Sequence, residues 1–244
     1  VMSLNFTLPE GTKGVACKLS GGADSSIMYY ALCDYIKDKD IDLYAVTVIT
    51  VDKRLYNYYA QQVIEFTGDK LGVWPKDHIV RYVDGSLTYD PETDYSKAKG
   101  YIQGQRDIVT ELRLSGKVQA LVSGTTTNPP DEFNEWYDKQ VGECRRDPDR
   151  DVNSNFNKSL VKWQDGKKEF AYNDQFLQTD KKGVAQTYRD YGVFDELYPL
   201  TWSCEEPNNL TGHHCGRCFW CFEREWGFGI LEHGNDKLKC HDPV

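Results

Sequence analysis

Two groups of residues in this chain have the types and spacing to do chemistry. The first is Ser20-Gly21-Gly22-Ala23-Asp24-Ser25-Ser26, which follows the apolar run Val15-Ala16-Cys17-Lys18-Leu19 and precedes Ile27-Met28-Tyr29-Tyr30-Ala31-Leu32. A β-leaning run that stops at Ser-Gly-Gly and passes at once into a helical pattern makes a phosphate cradle. The glycines let backbone approach an anion, and the helix start aims free N–H groups and a favourable dipole at it. Asp24 or Ser25 is placed to cap the helix. No lysine follows the glycines, which excludes the G-x-x-x-x-G-K-[ST] loop. The second group is Cys204, Cys215, Cys218 and Cys221, spaced C-x10-C-x2-C-x2-C. Two-residue spacers let neighbouring thiolates converge on one ion. Four sulfurs close a tetrahedral shell with no open position, which is a structural Zn²⁺ site; an iron–sulfur cluster takes the same four ligands and is the rival.

The elements that must hold these groups follow a strand–helix rhythm. Val15–Leu19 reads as a strand, and a helix runs from Ser25 to about Lys37. Leu43–Thr50 is an unbroken apolar run of the kind found in a parallel strand buried on both faces. A helix near Leu55–Leu71, a strand at His78–Val83, a helix over Tyr101–Leu114 and a strand at Val118–Gly124 follow. The alternation predicts an α/β fold: an open parallel sheet sandwiched by helices, with a small C-terminal zinc-binding appendage. Residues 1–200 are expected to form the α/β domain that carries the phosphate cradle and 201–244 the four-cysteine zinc-binding and helical segment. In such sheets ligands sit beyond the carboxyl ends of the strands. That rule gathers the loop after Leu19, the segment Thr50–Arg54 and Gly124-Thr125-Thr126-Thr127 at one edge.

From Asn128 to about Asn173 the pattern lapses into an irregular excursion carrying Cys144-Arg145-Arg146 and Arg150, read by default as solvated surface and otherwise as anion contacts from a lid. Regular structure resumes in a capped amphipathic helix over Thr179–Gly192. Lys181 lies in its first turn, where the dipole disfavours a cation; it is either surface or reaches an anion. His213 and His214 read as surplus loop histidines, Cys17 and Cys33 as small core residues. The segment from Phe222 to Leu231 reads as a helix packing the cysteine knot onto the sheet.

Composition narrows the partners. The 244 residues suffice for one sizeable core, and an apolar fraction of 39% is that of a globular chain. A net charge of −9 argues against extensive nucleic-acid binding, which rests on Lys and Arg neutralising phosphates. No apolar run is long enough to span a bilayer and no secretory pattern opens the chain, so no membrane and a cytoplasmic location are expected. Eight cysteines in such a chain read as thiols and metal ligands, not disulfides. The pattern leaves a homodimer open.

Ser20-Gly21-Gly22-Ala23-Asp24-Ser25 resembles the S-G-G-x-D-S signature of the PP-loop ATP pyrophosphatases. Thr201-Trp202-Ser203-Cys204, Cys215-Gly216-Arg217-Cys218-Phe219-Trp220-Cys221 and the tail Glu223-Arg224 with Phe228 are similar to the C-terminal zinc site of 7-cyano-7-deazaguanine synthases. The helix at Lys181 resembles that family's K-A-E helix, and Gly104-Gln105-Arg106-Asp107 is a looser echo of its G-R-N segment. The resemblance covers both ends of the chain and little of the middle. It implies a ligase joining 7-carboxy-7-deazaguanine, a deazapurine carboxylic acid, to ammonia at the expense of ATP, with Mg²⁺ and a structural Zn²⁺. Ser20, Gly21, Gly22, Ala23, Asp24, Ser25, Ser26 and Gly124 would hold the nucleotide; Asp24, Lys181 and Arg106 would serve catalysis. One departure stands out. Where that family carries a Tyr-Pro-Asp-Cys-Arg type segment after the fourth strand, this chain reads Thr125-Thr126-Thr127-Asn128-Pro129-Pro130-Asp131-Glu132-Phe133, so the acid is less constrained than the ATP chemistry. A tRNA thiolase of the same superfamily, a substrate-shifted synthase relative and a non-catalytic zinc module are the alternative readings.

Overall fold

The computed structural model describes residues 4–50, 55–83, 99–142, 150–151, 170–205 and 213–231. Val51–Arg54, Cys144-Arg145-Arg146 and Cys240 lie outside them. The core is a five-stranded parallel sheet built from β1 (Gly14–Lys18), β2 (Asp42–Ile49), β3 (Asp77–Tyr82), β4 (Ala120–Val122) and β5 (Ala171–Asn173), in the order β3-β2-β1-β4-β5. β1 is central, with Cys17 level with Ala45 of β2 on one side and with Val122 of β4 on the other. Parallel neighbours need crossovers, and helices supply them: α1 (Ala23–Ile36), α2 (Tyr56–Leu71) and α3 (Lys99–Leu114).

Side-chain alternation along β1 sorts the two faces. Val15 and Cys17 pack with Ile27, Leu32, Ala60, Val63 and Ile64 of α1 and α2. Ala16 faces the other way, among Val46, Val48, Ile108 and Leu112, the last two from α3. α1 is covered on all sides, with Ser26 to Cys33 all buried, which is why its sequence shows no polar stripe. α3 lies tightly on the sheet because Gly104 leaves room for it: a Cβ there would come within 2.8 Å of Val83 Cγ1. The chain runs outward from β1 to β3 and returns across the other face to β4. The gap between the ends of β1 and β4 is therefore the topological switch point where ligands settle in such sheets.

Two elements depart from the irregular reading of 128–173. α4 (Asp131–Gln140) begins directly after Pro129-Pro130, and its buried Phe133, Asn134 and Tyr137 lie at helical spacing. β5 completes the sheet through three buried residues, Ala171, Tyr172 and Asn173, a run too short to carry a period of its own. Beyond it come α5 (Lys181–Asp190), the short α6 (Phe194–Leu197), a 3₁₀ turn at Tyr198–Leu200 and α7 (Phe219–Phe228). The C-terminal segment is tied into the main core. Phe228 of α7 stacks on Tyr198 at 4.2 Å between centroids and shares the buried cluster of α1 and α5. Among the described residues no helix is long and apolar enough to cross a membrane.

Candidate functional site

The loop between β1 and α1 is held open by backbone and held in place by its floor. Gly21 has φ of 75°, and a Cβ on it would lie 2.5 Å from Tyr59 Cβ, so only glycine fits. Its carbonyl accepts from Trp202 N at 2.8 Å, and Trp202 stacks on Tyr59 with centroids 5.1 Å apart. The helix N-cap is Gly22 and no side chain caps it, so neither Asp24 nor Ser25 takes the capping role expected of them. Ser25 Oγ instead accepts from Ser20 N at 3.2 Å and lies 3.1 Å from Ser20 Oγ, knotting the loop upon itself. Ser26 Oγ donates to Gly22 O at 2.8 Å and is spent there. Ala23 is buried, and its carbonyl accepts from Tyr188 OH at 2.7 Å. With no side-chain cap, the first-turn N–H groups of α1 are left for a ligand. Gly124, just past β4, abuts this turn: a Cβ there would lie 2.9 Å from Asp24 O.

Asp24 sits where these pieces meet. Its Oδ2 takes an ion pair from Lys181 Nζ, while its Oδ1 is buried with no hydrogen-bond partner. An orphaned, buried carboxylate oxygen at a phosphate-type helix start fits a ligand for a hard cation such as Mg²⁺. Lys181 thus does reach an anion, and the anion is the protein's own. The cation's unfavourable place at the start of α5 is offset by Asp24, by Glu223 at 3.8 Å and by the cap of Asp180, which accepts from Lys182 N and Gly183 N. α7 crosses so closely here that a Cβ on Gly227 would lie 2.2 Å from Lys181 Cβ. The chain of charge continues. Glu223 pairs with Arg150 at 2.6 Å, and Arg150 donates to Thr126 O, Thr126 Oγ1 and Thr127 O at 3.0, 3.0 and 2.7 Å. Arg150 is therefore a buried clamp on the loop after β4, not solvated surface. Breaking such a pair on one side leaves a buried charge unmatched, which costs far more than an exposed pair contributes.

Arg106 is exposed on α3, on the face of the sheet opposite α1, and makes no hydrogen bond or ion pair with this loop. There it shares the carboxyl edge with three groups that the sequence reading passed over: Lys18, Tyr172 and Asp174. Asp174 Oδ2 accepts from Thr125 N at 2.7 Å and from Tyr172 OH at 3.3 Å, and Oδ1 accepts from Phe176 N at 3.1 Å. Burial pushes its carboxyl up to about 7, against the pull of those N–H groups. Because the folded value lies above the ordinary one, the native state binds the extra proton. The stabilisation is present below the ordinary carboxylate range and is lost as pH rises through about 7. Melting temperature measured from about pH 5 to about pH 8 should fall more steeply for the wild type than for Asp174→Asn, whatever the variant's own stability. Equal slopes would remove Asp174 as the titrating group.

The four sulfurs of Cys204, Cys215, Cys218 and Cys221 lie within 4.8 Å of one another. Cys215 and Cys221 Sγ are 3.8 Å apart and Cys218 and Cys221 3.4 Å, close to the edge of about 3.8 Å of a thiolate tetrahedron around one ion with bonds of about 2.3 Å. Hydrogen bonds from the other three thiols pull Cys215 well below the usual thiol range, while the same contacts push Cys218 and Cys221 up. Four sulfurs this close form a set suited to a soft cation. His214 is not in the set. Its Nε2 accepts from Ser203 N at 3.0 Å and its ring packs on Trp202 at 4.8 Å, so it braces the strap between the knot and the phosphate loop. Cys17 and Cys33 are buried core thiols, and burial raises both well above the ordinary range.

No protein-family model matches the chain, and no curated protein matches it. Among solved structures the chain is similar to the U34-tRNA thiolase NcsA from Methanococcus maripaludis with its 4Fe-4S cluster, at 16% identity and a TM-score of 0.46, over 78% of this chain. The chain spans 60% of the length of that protein. Ser20-Gly21-Gly22-Ala23-Asp24-Ser25 is seated between β1 and α1 of a β3-β2-β1-β4-β5 sheet and beside its switch point, where a loop of this kind can cradle a phosphate.

Proposed function

We propose that the protein is an ATP-dependent ligase that adenylates 7-carboxy-7-deazaguanine and carries it, with ammonia, to 7-cyano-7-deazaguanine. The observation that carries the reading is Asp24: an orphaned, buried carboxylate oxygen at an uncapped helix start, beside a glycine turn that no side chain could enter. A carboxylate is a poor electrophile because its leaving group is oxide. Attack of its oxygen on the α-phosphorus of ATP forms the acyl adenylate and expels pyrophosphate. Ammonia then displaces AMP to give the amide. Transfer of AMP from a second ATP to the amide oxygen lets the nitrile form as AMP leaves and the amide protons are lost.

The loop backbone and the start of α1 would hold the departing pyrophosphate, and Asp24 Oδ1 would hold Mg²⁺. Bound there, the ion supplies neutralisation of charge on the phosphates. Lys181, paired with Oδ2 of the same carboxylate, would add a second positive charge beside the phosphates. The cysteine knot would hold Zn²⁺ as a structural ion. Its sulfur spacing suits one centre better than a cubane cluster, whose ligands attach to separate irons at the corners of a cube.

The test is incubation with ATP, Mg²⁺, ammonia and the acid, with products weighed by mass spectrometry. AMP, pyrophosphate and the nitrile should appear together and only when the acid is present. Pyrophosphate release that needs tRNA instead of the acid would replace this reading with the thiolase one. A net charge of −9 and two described non-cluster cysteines that are both buried speak for the acid.

A further inference from the structure

We propose that Lys18 anchors the carboxylate of the acid substrate at the carboxyl edge of the sheet, on the α3 side of the phosphate loop; this rests on the ligase reading above. Lys18 is the last residue of β1, two positions before Ser20, in a run that is otherwise apolar. Alternation places it on the face of Ala16, toward α3, whereas Cys17 and α1 belong to the opposite face. Its ammonium therefore points away from the helix start that would hold pyrophosphate, into the space between the ends of β1, β4 and β5.

Three observations make that space a binding site for an anion. Lys18 is half-buried, yet among the described residues its ammonium has neither a hydrogen bond nor an ion pair. Asp174 acts on it through space but makes neither a hydrogen bond nor an ion pair with it; that carboxylate accepts from Thr125 N, Phe176 N and Tyr172 OH, which hold the loop after β4. The other charge acting on Lys18 is a second cation, Arg106, on α3. Burial lowers Lys18 to about 8, with Arg106 adding to the fall and Asp174 opposing it. A partly desolvated, unpaired cation beside another cation weakens the fold, and an apolar residue in its place would not. At the switch point of a parallel sheet, such a group is matched by what arrives from solvent. Because the pyrophosphate has its own cradle across the loop, the anion left for Lys18 is the carboxylate that must meet the α-phosphorus.

Calorimetric titration of the full chain and of Lys18→Met with three probes tests this: 7-carboxy-7-deazaguanine, its neutral 7-amido counterpart, and ATP with Mg²⁺. The variant should bind the acid at least about tenfold more weakly, as expected for one lost charge-assisted hydrogen bond, with binding of the amide and of ATP unchanged. Ligand-free Lys18→Met should melt no lower than the wild type, because no internal partner is lost. Equal loss for acid and amide, loss of ATP binding, or a clear drop in melting temperature would each overturn the anchor. Lys18-dependent acid binding without release of pyrophosphate would sink the ligase reading and leave the anchor standing. Turnover with Lys18-independent acid binding would do the reverse.

Discussion

Asn in place of Asp24 is expected to lower acid-dependent pyrophosphate release by roughly 10²–10³-fold while the protein remains folded. The size follows from what the carboxylate does: one oxygen is the candidate metal ligand, and the other holds Lys181. An amide keeps the shape but is neutral and places a donor at one of the two positions, so one cation is repelled and the other is left with a neutral oxygen. Alanine is the poorer test. Asp24, Lys181, Glu223 and Arg150 form a continuous run of alternating charge, and removing the first leaves Lys181 leaning on Glu223 alone at 3.8 Å. A buried charge stripped of its partner costs about 3–5 kcal/mol, so the alanine variant would lose stability along with activity. Pre-steady-state release of pyrophosphate, with circular dichroism on the same samples, separates the two effects. An asparagine variant at the wild-type rate would falsify the role given to the loop.

Serine at Cys218 should have the second-largest effect, on the fold. One of four thiolates converging within 4.8 Å is lost, and a hydroxyl is a poor ligand for a soft cation. Bound metal should fall from one per chain toward none, and cooperative unfolding should shift by several kcal/mol, since binding energy at a structural site is folding energy. The loss should also reach the nucleotide. Cys204 follows Trp202 and Ser203 directly, Trp202 floors the glycine turn against Tyr59, and its N–H holds Gly21 O at 2.8 Å. Weaker ATP binding should therefore accompany metal loss. Metal content by mass spectrometry and ATP affinity on the same preparations decide it. A folded, metal-bearing Cys218→Ser protein would remove the cluster from the architecture of the site.

What could be read in the sequence was what lies close along the chain. A glycine turn between a strand and a helix is a matter of about a dozen consecutive residues, as is the spacing from Cys215 to Cys221, and both kept their places in the structure. The runs at β1 and β2 were equally plain because strands buried on both faces are apolar throughout. Even α4 left a trace, in Phe133, Trp136 and Tyr137 at helical spacing behind two prolines, although the surrounding polar residues masked it. β5 left none, since three residues carry no period and only the edge of β4 gives them a strand's hydrogen bonds.

Tertiary structure alone decided which charges meet. Lys181 and Asp24 are 157 positions apart, and Arg150 and Glu223 are 73 apart. A lysine awkwardly placed at a helix start announces that it needs an anion and says nothing of where the anion stands. Arg106 and Lys18 show the same division from the other side. Each residue type was visible, but which face of the sheet each served depended on the direction in which α3 crossed back to β4. Local chemistry is a property of neighbours in sequence; a site is a property of neighbours in space, and the crossovers of the sheet convert one into the other.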